Sequence, residues 1–373
     1  MSVTSISSKN KNLLWAVSAG RCEYAGCNKV LHTDILTNKK CNSAYIAHIV
    51  GDEPTGPRGD VKRSKLLAND INNLMLLCDT HHRMVDADEI TYTESYLLEM
   101  KRQHEERIKR ITNIVSNMSS EIILYGANIG VNNSPLSYQS ANEALLYDYY
   151  PASDYPIELG YKNASLTDDM DVYWITEEAN LFTQFNLKIK PRLMQGNTDH
   201  YSVFAIAPQP LLIKFGVLLN DLNNVKVYQK HREPSTWKWQ TASSDIEYIL
   251  REPDDKTKVP VLVFSMSATV TYDRIQKALG DNTSIWEITI SGAPHNDFLK
   301  TEALLSDFRR IARYAFDKIK SHHGYTDLHI FPAMPVSASV ELGRVWMPKV
   351  DMPMTIYDAN KEKNDFYKTI TIK

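Results

Sequence analysis

The stretch from Asn73 to Asp86, Asn-Leu-Met-Leu-Leu-Cys-Asp-Thr-His-His-Arg-Met-Val-Asp, constrains this chain more than any other. Leu74 to Leu77 form an unbroken apolar run, long enough for a buried strand and too short for a helix to be read from its period. Cys78, His81, His82 and Asp86 follow at once, so a cysteine, two histidines and a carboxylate share one strand-to-helix turn. Upstream, Cys22 and Cys27 stand in C-x4-C spacing. With Cys78 and His81, in C-x2-H spacing, they supply four soft or borderline ligands, the set that suits tetrahedral structural zinc. Cys41 is an alternative to His81 as fourth ligand; otherwise it is an ordinary core cysteine.

That leaves His82 over. Next to a zinc ligand and held by the same turn, it is placed to bind a second, catalytic metal, magnesium or manganese. His48, at the end of Ala44-Tyr-Ile-Ala-His48, could act as the base that takes a proton from water. Asn73 would orient His48 by accepting a hydrogen bond from its ring. The catalytic metal would polarise a scissile phosphate and stabilise the leaving oxygen. Asp86, one helical turn beyond His82, is the leading candidate for a carboxylate in that metal's shell; the bland alternative is a capping or surface acid. Singly, each of these residues also has a structural reading, as core histidine, turn asparagine, solvated pair or buried thiol. Their ordered combination in one compact segment favours a site.

The patches Arg21 to Cys27, Ala44 to Ile49 and Asn73 to Asp86, in that order, resemble an HNH nuclease module, with His48, Asn73 and His82 as its three letters. The resemblance implies a ββα-metal fold that hydrolyses phosphodiester bonds of double-stranded DNA. Many such modules carry a metal-binding acid just before the base histidine, and here that position is Ala47. The departure implies a variant metal shell.

A length of 373 residues with 43% hydrophobic content allows two or three domains with ordinary cores. The net charge of −3 and pI of 6.4 do not announce a nucleic-acid binder. The ten basic residues from Lys9 to Lys65 nevertheless give the first third a bias that could meet phosphates. No apolar run has membrane-spanning length and no charged-then-apolar leader opens the chain, so the expectation is a soluble cytoplasmic protein without membrane partners. Four cysteines, three in metal-like spacing, fit a reducing compartment better than a disulfide framework.

Lys9 to Ala19 predicts a short opening helix, and Gly51 to Gly59, with Pro54 and Pro57, a mobile loop between the halves of the nuclease site. From Thr93, Tyr96, Leu97, Met100, His104, Ile108 and Ile111 recur at helix spacing. This helix closes a first domain over 1–115. Residues 116–140, rich in Ser, Asn and Gly and containing Pro135, predict a linker, within which Glu121 to Tyr125 could form a short strand or helical turn. The remainder, 141–373, alternates strand and helix: strands at 200–207, 225–228, 259–264, 285–290 and 328–331, helices at 209–219, 272–279 and 301–322. The recurrence suggests two Rossmann-like α/β halves.

Neither G-x-G-x-x-G nor a Walker lysine motif occurs, so no dinucleotide oxidoreductase or NTPase is evident. Small and polar residues follow the strands instead: Ser265 to Thr269, Ser291 to His295, and Pro332 to Ser339. Ligands of α/β sheets bind beyond the carboxyl ends of strands, where helix N-termini hold phosphates, and nearby aromatics can stack on bases. A nucleotide-type ligand fits that set better than a hydrophobic one.

The final stretch, His329-Ile-Phe-Pro-Ala-Met-Pro-Val-Ser-Ala-Ser-Val-Glu-Leu-Gly-Arg344 followed by Trp346-Met-Pro-Lys349, resembles the signature of a SAVED domain, the cyclic-oligonucleotide sensor of bacterial CBASS anti-phage systems. With the HNH module in front, nearly the whole chain resembles the HNH-SAVED effector nucleases. The resemblance implies an α/β SAVED domain of two CARF-like halves. It also implies a DNase held inactive until a cyclic di- or trinucleotide binds and drives homo-oligomerisation, from a dimer to higher order. Carried onto this sequence, it puts Ser265, Ser267 and Thr269 on the ligand pocket and turns the helix from Ala338 to Arg344 toward ligand phosphate, with the Arg344 fork as contact. Lys214, Trp237 and Trp239 are further candidates, the tryptophans for stacking; the alternatives are a structural ion pair for Arg344 and packing for the tryptophans.

Two other readings stand beside this one. An HNH restriction enzyme would read modified or specific DNA with residues 141–373, which Asp168, Asp169 and Asp171 disfavour without excluding. A zinc-stabilised nucleotide-binding adaptor would have no enzymatic role for His48.

Overall fold

The computed structural model describes residues 4–34, 36–132, 136–146, 148–161, 165–195, 200–220, 224–241, 246–360 and 365–373. The chain divides into two compact units, Met1–Val115 and Ser116–Lys373.

In the first unit, helix α1 (Ser8–Val17) starts at Ser7, whose side chain accepts the Asn10 amide and so satisfies one of the helix's orphan donors. Strands β1 (Ala44–His48) and β2 (Leu74–Cys78) pair antiparallel, with Ala44 opposite Cys78 and His48 opposite Leu74. The four-residue α2 (Ser64–Leu67) lies between them in sequence. All five residues of β2 are buried, as an apolar run without alternation requires. Helix α3 (Asp79–Ala87) follows β2 directly and turns back along β1, so that the His82 ring lies 5.1 Å from the ring of Tyr45. Helix α4 (Glu94–Thr112), capped by the Thr93 side chain, buries Leu97, Met100 and Ile108. The segment from Gly51 to Gly59 is a loop, as expected, and it closes on itself. Gly51 donates to the Arg58 carbonyl at 3.2 Å and Gly59 to the Gly56 carbonyl at 2.9 Å.

The second unit opens with β3 (Ser119–Gly126), α5 (Tyr138–Leu145), β4 (Tyr150–Pro151), β5 (Ile157–Leu159), α6 (Asp171–Lys188) and α7 (Lys190–Gln195). It continues with β6 (Tyr201–Ile206), α8 (Gln209–Leu218), β7 (Val225–Val227), β8 (Tyr248–Arg251), β9 (Val259–Ser265), α9 (Tyr272–Leu279) and β10 (Thr283–Ile290). It ends with α10 (Glu302–His323), β11 (Leu328–Ala333), α11 (Val336–Val345), β12 (Met354–Asn360) and β13 (Asp365–Ile372). The strands and helices expected from 200 to 331 are present, with ends within two residues of the reading. Residues 116–140 are the correction. They are not a linker, because β3 within them pairs in parallel with β4, β5 and β6 and buries Ser120 to Tyr125. Residues 133–135 of that segment lie outside the described residues.

Two sheets result. One runs β4-β3-β6-β7, with β5 also on β3, and every pair in it is parallel. The other runs β13-β12-β11-β9-β10-β8, parallel through its four central strands and antiparallel at both edges. The prolines of the central strands sit where the ladder can spare an amide. Pro260 precedes the point at which β11 joins β9, and Pro332 lies past the last pair between β11 and β12. One continuous core joins Val203, Leu211 and Phe215 to Leu262, Ile288, Ile330 and Phe308.

Helices α8 and α11 cross at backbone contact. A Cβ on Gly216 would lie 1.9 Å from the Val340 carbonyl, and one on Gly343 would lie 2.0 Å from the Ile213 carbonyl. Side chain or backbone contacts run in step along the two helices, Gln209 with Met334 and Ser339 at the start and Asn220 with Trp346 at the end. The two helices therefore run the same way and present their N-termini together.

Candidate functional site

In the first unit the residues gather in two adjoining groups. Cys22, Cys27, Cys78 and His81 place their ligand atoms within 4.8 Å of one another. The Cys78 sulfur is 3.1 Å and the Cys22 sulfur 3.7 Å from His81 Nδ1, and Tyr24 stacks flat on the His81 ring at 3.9 Å. Cys41 is exposed and stands outside the group. Burial pushes the Cys22 thiol up to about 12, and the neighbouring Cys27 and Cys78 push it the same way. A divalent cation would offset that cost, since it binds thiolates and not thiols. Three sulfurs and one imidazole nitrogen at this spread fit tetrahedral zinc.

Beside this group lies a cavity of about 450 Å³ lined by Tyr45, His48, Asp52, Arg58, His82 and Asp86, among others. His48 Nε2 lies 2.9 Å from the Ala68 carbonyl. A carbonyl only accepts, so Nε2 donates to it, and Nδ1 is the ring nitrogen left over, 4.0 Å from a carboxylate oxygen of Asp52. His82 Nδ1 lies 3.6 Å from one oxygen of Asp86, whose other oxygen takes a 2.9 Å hydrogen bond from Arg58.

Asn73 differs from expectation. It is buried, accepts the Val50 amide at 2.8 Å, and donates to the carbonyls of Val50 at 2.9 Å and Leu67 at 3.2 Å. It therefore ties down the chain just after His48 and makes no hydrogen bond to the His48 ring. Asp52 in the cavity and the Ala68 carbonyl behind the His48 ring escaped the sequence reading, and Arg58 entered it only among the basic residues that could meet phosphates. None has a motif of its own, although Asp52 stands four residues after His48.

In the second unit a cavity of about 490 Å³ opens where β3, β6, β11 and β12 end and α8 and α11 begin. Ile129 to Val131, Ala207 to Gln209, Met334 and Val336 line it, with three carboxylates, Asp168, Asp169 and Asp358. The Gln209 side chain bridges the two helix starts, accepting the Met334 amide at 3.1 Å, and Gln229 accepts the Ser337 amide at 3.2 Å.

None of the eight sensor residues expected from the sequence lines this cavity. Lys214 is paired with Glu178 at 2.8 Å. Trp237 is fully buried edge-on to Phe204 and has no face free for stacking. Trp239 packs partly buried near His231. Ser265 is buried and accepts the Val270 amide, the Ser267 amide donates to the Ala333 carbonyl, and Thr269 is exposed. Ala338 is buried, and Arg344 pairs with Glu341 at 2.6 Å and donates to the Val225 carbonyl at 3.3 Å. The run of small and polar residues after β9 lies at the same end of its sheet as the end of β11, and the cavity draws on β11 and not on β9.

A family model described as the SMODS-associated and fused to various effectors sensor domain, SAVED, matches residues 183–372. No curated protein matches the chain. Among solved structures, the Acinetobacter baumannii Cap4 SAVED/CARF-domain containing receptor with the cyclic trinucleotide 2'3'3'-cAAA is 14% identical at a TM-score of 0.42, over 83% of this chain and 66% of that one. The same receptor without a named ligand is 13% identical at 0.41, over 81% and 62%. The Moraxella osloensis Cap4 receptor is 10% identical at 0.41, over 79% and 60%. The chain thus spans from 60% to 66% of the length of these receptors. Because the matched stretch covers just over half of its residues, the chain belongs to the SAVED sensor-domain family.

Proposed function

We propose that this chain is a cyclic-oligonucleotide-activated, metal-dependent DNA endonuclease of bacterial anti-phage defence, with an HNH module of ββα-metal fold over 1–115 and a SAVED sensor of two CARF-like halves behind it. The observation that carries the nuclease half is the His48 ring. Its Nε2–H is committed to the Ala68 carbonyl, which leaves Nδ1 as the nitrogen able to take a proton, and His48 lines the cavity that also holds His82.

In this reading a water at Nδ1 gives up its proton to His48 as its oxygen attacks the scissile phosphorus, and Asp52 faces the imidazolium that forms. Asn73 and the Ala68 carbonyl hold His48 from behind. What a divalent cation bound through His82 supplies is positive charge against the phosphate and the leaving oxygen. Asp86 orients His82. Zinc at Cys22, Cys27, Cys78 and His81 would be structural, bracing the turn between β2 and α3.

The 490 Å³ cavity supports the sensor half. Two parallel helix N-termini offer favourable dipoles to phosphates, and the three carboxylates offer acceptors to N–H edges of bases. Activator binding there would assemble copies of the chain and switch on cleavage in the cytoplasm.

The test is degradation of plasmid DNA by the purified protein with magnesium or manganese, with and without a panel of cyclic di- and trinucleotides, and with His48→Ala as control. Cleavage only with a cyclic nucleotide, and none by the variant, is expected. Cleavage without any nucleotide would bring the restriction reading forward. Cleavage that survives His48→Ala would remove the assigned base.

A further inference from the structure

We infer that Arg58 is the positioning residue that sets the spacing of His48 and His82 in the first-unit cavity and is not a contact for DNA phosphate; the inference rests on the nuclease reading above. Among the ten basic residues from Lys9 to Lys65, Arg58 stands apart in its surroundings. Its side chain is 7% exposed, and its guanidinium is spent on four protein acceptors. Nε donates to the Ile49 carbonyl at 3.0 Å and Nη1 to the Val85 carbonyl at 2.5 Å. Nη2 donates to the His48 carbonyl at 3.3 Å and to Asp86 at 2.9 Å.

Those acceptors belong to the two elements that carry the histidines. His48 and Ile49 are the end of β1 and the residue after it, while Val85 and Asp86 are the last full turn of α3, with Asp86 against His82. The planar fork therefore spans from the backbone of the base to the carboxylate behind the metal-binding histidine. A lysine has neither the number of donors nor their fixed angles. Arg58 is itself held, its amide donating to Glu89 at 3.0 Å and its carbonyl accepting the Gly51 amide.

The backbone at Arg58 has φ 52°, the left-handed region that glycine adopts without strain. Arg58→Gly thus removes the guanidinium while suiting the local fold. Expected are a fall of roughly ten- to a hundred-fold in kcat, with KM for DNA and the slope of log affinity against log salt unchanged. Partial recovery in millimolar guanidinium, absent in sodium at equal ionic strength, is also expected. Arg58→Lys, which keeps the charge and loses the fork, should show a comparable fall in kcat with the salt slope unchanged and serves if the glycine variant does not fold. A salt slope reduced by about one with kcat intact would overturn the inference, since that marks a lost phosphate contact. So would an unchanged kcat.

If the wild-type chain cuts no DNA at all, it is the nuclease reading that falls. The histidine ring 15N spectrum then still decides the role of Arg58. Loss of the fixed Nε2–H tautomer of His48 in the glycine variant, with its return in guanidinium, supports positioning, and an unchanged spectrum overturns it.

Discussion

At the scale of single residues, Arg344 shows how a chemically apt side chain can be committed elsewhere. An arginine fork close to the start of a helix invites a phosphate, yet it stands in the last turn of α11, at the far end from the cavity. Its side chain is 7% exposed, and the partner Glu341 is 3% exposed. Arg309, half exposed, also reaches Glu341 at 3.2 Å. Replacing Arg344 by methionine keeps the volume and leaves a buried carboxylate with only this outer partner. Breaking a buried pair costs about 3 kcal/mol or more. The unfolding free energy of Arg344→Met from denaturant titration should therefore fall by that amount, with a lower midpoint, while affinity for a cyclic nucleotide is unchanged. Lost affinity at an unchanged midpoint would return Arg344 to the ligand site. The composition of Trp237 misleads in the same way, since aromatic character says nothing of which face is left open.

At the scale of elements, the strands were readable where burial is on both faces, because a parallel strand covered on both sides must be apolar throughout. Tyr201 to Ile206 and Val259 to Phe264 declare themselves so, and in the antiparallel β2 the run Leu74 to Leu77 is likewise buried without alternation. β3 was obscured by its flanks: Ser-Asn-Gly-rich sequence on either side of Glu121 to Tyr125 reads as connector, and nothing local tells that β6 will pair with it eighty residues later. The metal-type cluster was legible because its ligands come in two close-spaced pairs. The 490 Å³ cavity of the second unit was not, since its walls are ordinary residues drawn from the ends of four strands. The contact that brings those ends together is the crossing of α8 and α11, which no helical periodicity reveals. Gly216 and Gly343 are required there by distance to backbone atoms that cannot step aside. Gly216→Ala gains helix propensity of about 1 kcal/mol, yet overpacking of this kind costs about 1–3 kcal/mol and here meets a carbonyl and not a flexible side chain. Net loss of stability is expected in thermal unfolding, together with weaker activator binding. A variant as stable as wild type would mean that the helices can separate without penalty.

At the scale of the whole molecule, the two units hold separate apolar cores. That of residues 1–115 is built around Leu14, Leu74, Leu76 and Leu97, with Cys22 and Cys78 in it. The larger one belongs to residues 116–373. Two of the four proposed zinc ligands are thus members of the smaller core, and metal binding there is folding free energy, because the unfolded chain has no preformed site. No ligand cluster of that type occurs in the second unit among the described residues. Scanning calorimetry should therefore resolve the two units by what shifts them. A zinc chelator is expected to lower or abolish the transition of the first unit and to leave that of the second in place. A cyclic nucleotide at about a hundred times its dissociation constant should stabilise the second unit by about 2.7 kcal/mol, visible as a raised midpoint. If the chelator lowers both transitions equally, the cluster braces more than the unit that contains it. If it lowers neither, Cys22, Cys27, Cys78 and His81 are a packed thiol group, and the turn that presents His82 must be held by the β1–β2 ladder and by Arg58 alone.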